Sequence, residues 1–301
     1  MSRTAKGVTL SLLSSVFFGA LYYVMPFMAP FTGEAVWAVR VLFAVPLVTL
    51  ILLATRELPL LGDALQRVRK KPIMILGMIA TSILLAGQIW VYMWAPLNGR
   101  GLQVALGYFL FPLVMIVVGR VLYKDTLTRM QLIATLIAAA GVTFELIRVG
   151  QLSWEALLVA LGYPIYFIIR KATGLNNTAG MWFDMTLMVP LATFVLFSFL
   201  RNGPSLEGSE YLTWLVPLMG VSAGAAILFF VLGAKYLSMS LFGLLSYIEP
   251  ALLMLAAVLI GETVTPGEFP LYIAIWIAIA LVVVDGVRQI RASRAGSYVA
   301  I

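Results

Sequence analysis

Residues 241–260, LFGLLSYIEPALLMLAAVLI, form an apolar run that contains one charged side chain, Glu249. A helix of about 20 such residues matches the thickness of the hydrocarbon core of a bilayer. An ionised side chain near the middle of that helix costs about 3 kcal/mol or more, so it marks a functional site by default. The stretch therefore predicts an integral membrane helix and makes Glu249 the first candidate functional residue.

The composition of the whole chain is that of a protein that crosses the membrane many times. Of its 301 residues, 62% are hydrophobic and 11% are charged, and the mean hydropathy is +1.03. Soluble domains are close to half apolar and one quarter charged. The chain has no Cys and no His, which excludes disulfides, thiolate nucleophiles, His-ligated metals and His general bases. We expect no metal and no cofactor, and the lack of a Walker-type glycine loop argues against ATP as the energy source.

An all-α fold of ten membrane-spanning helices is predicted from the apolar windows. The connections between them are short and rich in Gly, Pro, Asn and charge, so no separate soluble domain is expected. The predicted spans are about 7–29, 35–55, 72–95, 101–122, 129–148, 153–169, 177–200, 211–234, 237–260 and 267–286.

The distribution of basic residues predicts the orientation. Outer loops carry only Arg100, Arg148 and Arg201, Arg40 lies inside a span, and the other sixteen of the 20 Lys and Arg residues fall on the side of the N-terminus. Basic residues accumulate on the cytoplasmic side, so both termini are expected in the cytoplasm of a bacterial cell, with the protein in its inner membrane. The same rule explains the net charge of +7 without a nucleic-acid partner.

The chain repeats itself in two halves, 1–150 and 151–301. An aromatic residue stands three positions before a proline in the fourth span of each half, as Phe109 and Pro112 and as Tyr247 and Pro250. Five spans per half is an odd number, so the halves must be inverted relative to each other. Inverted repeats with helices broken in matching places are typical of transporters, whose substrate site lies near the midplane between the halves.

With these features the chain resembles the drug/metabolite transporter superfamily, and within it the EamA-type transporters of the RarD branch. The resemblance covers nearly the whole chain and rests on Arg40, Trp94–Ala95, Leu106–Phe109, Pro112, Gly141–Val142, Arg170–Lys171, Tyr247–Ile248, Pro250, Gly261–Glu262 and Asp285. Three positions depart from the pattern, namely Val39 in place of a histidine, Gln103 in place of an acid and Glu249 in place of a small residue. The resemblance implies a ten-helix inverted-repeat carrier that exports small metabolites.

Three charged residues lie inside predicted spans and away from the span ends. Glu249 precedes Pro250, whose missing N–H frees a carbonyl one turn back, so it can bind a substrate ammonium group or carry a coupling proton. The alternative is a protonated acid that only fixes helix packing. Arg40 lies about 8–9 Å inside the outer end of its span, where it anchors a substrate carboxylate or forms an ion pair. Asp184 is a second proton-coupling candidate, although pairing with Arg170 or Lys171 is the favoured interpretation.

Aromatic and amide side chains complete the predicted substrate site. Buried tyrosines need hydrogen-bond partners, and their rings can stack on an apolar substrate or face a cation. Core packing is the alternative for each residue taken alone. The predicted substrate-binding residues are Arg40, Gln88, Trp90, Gln103, Tyr108, Tyr163, Tyr247 and Glu249.

These patterns predict a secondary active transporter that exports small amphiphilic metabolites by alternating access, with coupling to proton entry. The alternative class is an integral membrane enzyme acting on a lipid or small amphiphile, but the sequence lacks the clustered polar residues that such enzymes place in loops or near the interface. The expected partners are a small-molecule substrate and the lipid bilayer, and the expected assembly is a monomer or weak homodimer.

Overall fold

The computed structural model describes residues 3–98, 100–204, 207–259 and 266–297, and within these ranges the chain is helical, without a strand. Short 3-10 turns at Met25–Met28 and Pro266–Glu268 precede α2 and α12. Gly261 and Glu262, which carry part of the resemblance, lie outside the described residues. The α-helices are α1 Arg3–Val24, α2 Gly33–Ala54, α3 Pro59–Lys70, α4 Met74–Leu97, α5 Gly101–Leu122, α6 Arg129–Val149, α7 Trp154–Ala172, α8 Thr178–Asn202, α9 Leu212–Tyr236, α10 Met239–Ser246, α11 Ile248–Leu259 and α12 Phe269–Ser297.

Nine segments of the described chain are long and apolar enough to cross a membrane, and α10 with α11 supplies one of them, Met239–Ala256. Helix α7, at the sixth predicted span, is not among them because it carries three charged residues in 19 positions. Large apolar side chains are exposed along the helices, as at Leu136 and Phe194. Such surfaces are stable against lipid rather than water, so the chain is a multi-pass membrane protein.

The connection between the second and third predicted spans contains a helix, α3, that the sequence analysis does not predict. It begins at Pro59, a residue that suits the first turn of a helix. Leu60, Leu61, Ala64 and Val68 are buried or half-buried, and their spacing places them on one face. Because charged and exposed residues lie between them, the segment contains no long apolar window, and a search for such windows does not detect this helix.

The two prolines of the repeat have different effects on their helices. The ninth span is interrupted at Tyr247, between α10 and α11, one turn before Pro250. Pro250 lacks the N–H that would bond to the carbonyl of Ser246, so a break at this point is expected. Pro112, in contrast, lies inside the continuous helix α5. The prediction of broken helices in matching places is therefore wrong for the first half.

Helices from the two halves pack against each other throughout the bundle. The main pairs are α1 with α9 and α11, α2 with α8 and α9, α4 with α7 and α8, α5 with α7 and α10, and α6 with α12. Gly220 and Gly224 lie against Phe43 and Ala44, where a Cβ on Gly224 would lie 3.1 Å from the Ala44 Cα. These glycines let α9 approach α2 closely, which is the usual effect of small residues at a four-residue spacing in membrane helices.

Candidate functional site

Arg40 is buried inside the bundle, seven residues after the start of α2 at Gly33. Only 3% of its surface is exposed, so it does not extend to the interface. Its Nη1 has no hydrogen-bond partner, and no acidic side chain of the described chain lies within ion-pairing distance. A buried charge without a counter-ion is costly, and this position therefore favours the binding of an anionic or strongly polar group.

Tyr92 on α4 supports the Arg40 guanidinium. The Cζ atom of Arg40 lies 5.6 Å from the centre of the Tyr92 ring, within cation–π range. The Tyr92 hydroxyl donates a hydrogen bond of 3.2 Å to the carbonyl of Phe18 on α1. Because that bond fixes its orientation, Tyr92 presents its ring to Arg40 and keeps its hydroxyl away. Tyr92 is not among the substrate-binding residues predicted from the sequence.

Two further tyrosines extend this surface. The Tyr92 ring meets the Tyr108 ring of α5 edge to face at 5.7 Å, and the side chains of Tyr108 and Tyr163 interact through their hydroxyl groups. Tyr163, on α7, also packs at 5.3 Å against Phe111 and at 5.0 Å against Phe230. The result is an aromatic wall with hydroxyl groups beside a buried cation, which suits a ligand that is partly apolar and partly charged.

Glu249 belongs to the same group of residues. It is the second residue of α11, directly after the break at Tyr247, and it is 5% exposed. Its carboxyl group interacts electrostatically with Arg40 and with the three tyrosines Tyr92, Tyr108 and Tyr163. Within the described chain it accepts no hydrogen bond and forms no ion pair. The Arg40 guanidinium and the Glu249 carboxyl group thus lie near each other without direct contact. We call Arg40, Tyr92, Tyr108, Tyr163 and Glu249 the central cluster.

The two predicted glutamines are only partly engaged by the protein. Gln88 is fully buried on α4, and its Nε2 donates a hydrogen bond of 2.6 Å to the carbonyl of Leu158 on α7, while its Oε1 has no partner. The Oε1 atom of Gln103 is also buried without a partner. Neither amide is hydrogen-bonded to the central cluster within the described residues, although each retains an unused acceptor.

Trp90 and Tyr247 lie outside the contacts of the central cluster. Trp90 stacks on Trp94 at 5.1 Å and on Trp154 at 6.4 Å, which joins α4 to the start of α7. Trp90 and Trp94, four residues apart, thus share one face of α4. Tyr247 is 1% exposed, and its hydroxyl has no hydrogen-bond partner. Its position at the α10–α11 break makes it a neighbour of Glu249 in sequence, but no contact in the described chain joins it to Arg40.

Asp184 forms a second buried polar network, near the start of α8. Its Oδ2 lies 3.3 Å from Nη1 of Arg170 and accepts a hydrogen bond of 3.0 Å from the Tyr166 hydroxyl. Thr81 donates to Oδ1 at 2.7 Å, and Ser82 donates to the Asp184 carbonyl at 2.9 Å. The favoured interpretation, pairing with Arg170, is confirmed, and the network links α4, α7 and α8.

A cavity of about 470 Å³ lies between the α1–α2 connection and the end of α4. Its lining residues are Met25, Pro26, Ala29, Pro30, Phe31, Thr32, Gly33, Glu34 and Asn98. None of the predicted substrate-binding residues belongs to this lining. The cavity and the central cluster are therefore two separate candidate ligand-binding sites.

No family model matches the chain. The chloramphenicol-sensitive protein RarD of Pseudomonas aeruginosa is 37% identical over 292 residues, which is 97% of this chain and 98% of that protein. An uncharacterized transporter of Pasteurella multocida is 34% identical over 286 residues, or 95% and 98% of the two chains. A crystal structure at 17% identity, covering 93% of this chain and 98% of its own, has a TM-score of 0.61, which shows a shared fold. On the identity to these near full-length relatives, the chain belongs to the family of RarD-type membrane transporters.

Proposed function

We propose that this protein is a secondary active carrier in the bacterial inner membrane. It exports small amphiphilic metabolites, such as amino acids, their derivatives or drug-like compounds, by alternating access, and proton entry through Glu249 drives the export. The observation that carries this proposal is the central cluster. It combines a buried, unpaired cation, an unpaired acid and three tyrosine rings, and it draws them from both 1–150 and 151–301.

The helix pairs support an arrangement of ten spans as two inverted five-helix repeats, 1–150 and 151–301, with α7 as the sixth span. In this arrangement α1, α2, α4, α5 and α6 correspond to α7, α8, α9, α10–α11 and α12. If the two halves are exchanged, the α1–α9 pair becomes the α7–α4 pair, and the α2–α9 pair becomes the α8–α4 pair. All four of these helix pairs are in contact. The α2–α8, α5–α10 and α6–α12 pairs map onto themselves, as a two-fold pseudosymmetry requires.

Between the two acids, Glu249 is the better proton carrier. Asp184 already accepts hydrogen bonds from Thr81 and Tyr166 and pairs with Arg170. Both carboxylate oxygens of Asp184 are therefore already engaged by the protein, which favours a structural role for this residue. Glu249 has no such partner in the described chain, so its protonation is free to follow the side of the membrane to which the site is open. Both termini then face the cytoplasm, in accordance with the charge distribution.

A solute screen in proteoliposomes tests the proposed function. Purified protein is reconstituted with an imposed pH gradient, and amino acids, their derivatives and drug-like amphiphiles are offered one at a time. At least one of these solutes is expected to move across the membrane and to collapse the pH gradient as it moves. Protein-dependent solute movement that leaves the gradient intact would refute the coupling. An entire panel without protein-dependent flux would contradict the carrier function.

Replacing Arg40 is expected to stop transport without weakening the fold. Arg40→Gln removes a buried charge that has no counter-ion, so the free energy of unfolding should stay the same or rise. Loss of one hydrogen-bonded charge pair with the cargo, about 2–5 kcal/mol, lowers cargo affinity at least tenfold. Cargo binding and the melting temperature of the purified variant check the two parts separately. A clear loss of stability with normal binding would show that Arg40 is structural.

A further inference from the structure

Helix α3 presents a surface that neither the central cluster nor the Asp184 network uses. One face of α3 carries the buried residues that pack on the bundle. The main contacts of α3 are with α4 and α8. On an adjacent face Leu58 and Leu65, seven residues apart, are 40% and 49% exposed, and Arg69 follows on the same face. A helix that exposes leucines beside basic residues at the level where two spans leave the bilayer is typical of a helix that lies in the membrane interface.

The basic residues of this segment are concentrated at one end of it. Arg67, Arg69, Lys70 and Lys71 occupy the last turn of α3 and the next residue, and all four are exposed. The acids of the segment, Glu57 and Asp63, lie nearer the other end of α3, which leaves residues 64–71 with four positive charges and no negative one. Exposed apolar side chains continue past this end at Ile73 and Leu76, which are 70% and 62% exposed. Phosphate-binding charge therefore lies next to a surface that suits an acyl chain.

Two hydrogen bonds connect α3 and the segment just before it to the α7–α8 turn and the start of α8. Arg67 Nη1 donates to the carbonyl of Gly174 at 3.3 Å, and the Thr178 hydroxyl donates to Glu57 Oε2 at 2.9 Å. The same turn is held from inside by Arg170, whose Nη2 donates to the carbonyl of Asn177 at 2.9 Å. Any ligand that fixes α3 therefore also restrains the turn that joins α7 to α8, the two helices that carry Arg170 and Asp184.

We propose that the C-terminal end of α3 and the start of α4 bind the headgroup of an anionic phospholipid, and that this lipid fixes the α7–α8 turn. The charge complementarity of Arg69, Lys70 and Lys71 with a phosphate, and the apolar surface beside them, select a lipid rather than a soluble anion. Juxtamembrane basic clusters attract anionic headgroups in this way. The proposal rests on the placement of α3 at the cytoplasmic surface and does not depend on which cargo the central cluster binds.

Titration of phosphatidylglycerol into the purified full-length protein tests this site. Binding is followed by the rise in apparent melting temperature, with phosphatidylcholine as the uncharged comparison and glycerol 3-phosphate as the soluble one. We expect phosphatidylglycerol to stabilise the protein and the other two compounds to have little effect. Amide hydrogen exchange in the α7–α8 turn should slow when phosphatidylglycerol is bound. Equal stabilisation by phosphatidylcholine or by glycerol 3-phosphate would overturn the proposal.

A pair of charge-matched variants separates this site from a general effect of positive charge. Each basic residue beside an anionic headgroup contributes a factor of about five to affinity, so the loss of three is expected to weaken phosphatidylglycerol binding about a hundredfold. The test variant combines Arg69→Gln, Lys70→Gln and Lys71→Gln, and the control variant combines Arg120→Gln, Lys124→Gln and Arg129→Gln. Should the test variant fail to fold, Arg69→Gln alone is expected to lose about fivefold. Equal losses in the test and control variants would show that no specific site exists.

Discussion

Glu249→Gln is expected to abolish proton-driven transport while leaving expression and folding intact. The substitution preserves the size of the side chain but removes its ability to ionise or to carry a proton. Because Glu249 makes no hydrogen bond or ion pair in the described chain, its replacement breaks no structural contact, and a neutral amide costs less than a carboxylate inside a membrane. Cargo flux under an imposed pH gradient should therefore fall at least tenfold at an unchanged melting temperature.

The pH dependence of this variant is the informative readout. The wild-type flux should change with pH, whereas any flux that remains in Glu249→Gln should be independent of it. Glu210→Gln is a matched control, since Glu210 is an exposed acid in the connection before α9. Normal transport by Glu249→Gln across the pH range would contradict a coupling role for this residue.

Arg170→Gln is expected to destabilise the protein more than any other single charge removal in the described bundle. Arg170 and Asp184 are each 1% exposed, and their side chains are 3.3 Å apart. Removing one member of a buried pair leaves the other as an uncompensated charge, which costs about 3–5 kcal/mol of unfolding free energy. Gly180 shows how closely Arg170 is enclosed, because a Cβ at that position would overlap its guanidinium.

Two further variants give this prediction its controls. Asp184→Asn added to Arg170→Gln removes the stranded charge and should recover part of the lost stability. Lys171→Gln removes the neighbouring cation, which lies 4.1 Å from the centre of the Tyr123 ring and is partly exposed, at a cost of about 1 kcal/mol. Denaturant titration of the purified proteins in detergent measures all three. Equal midpoints for Arg170→Gln and Lys171→Gln would show that the buried network contributes little.

Most of the spans could be predicted from the sequence because a membrane imposes a strict length and polarity on each helix. Helix α3 escaped that prediction since its apolar residues follow an amphipathic spacing instead of a continuous run. The break at Tyr247 and the intact helix at Pro112 show a second limit. A proline predicts where a helix is weakened, but the surrounding packing determines whether the chain departs from helical geometry there.

The candidate site could be predicted only in part. A charged residue within an apolar span can be recognised from the sequence alone, so Arg40, Glu249 and Asp184 can be predicted as candidate functional residues. The residues that contact these side chains, and so determine their roles, lie on other helices. Local sequence patterns do not predict the distances between helices. Tyr92 and Thr81 lie on α4, yet one faces Arg40 of α2 and the other bonds to Asp184 of α8. The buried, unpaired acceptor of Gln88 and the separate position of Trp90 likewise depend on how the helices pack.

The most direct test of the central claim is a structure of the protein with a transported solute bound. The cargo identified by the proteoliposome screen is added at saturating concentration, and the position of its density is compared between wild type and Arg40→Gln. If the central cluster holds the cargo, density is expected in wild type against the Tyr92 and Tyr163 rings, with a polar group within hydrogen-bonding distance of Arg40 Nη1. This density should be lost in the variant. Density confined to the cavity between the α1–α2 connection and the end of α4, and unaffected by Arg40→Gln, would contradict a cargo site at the central cluster.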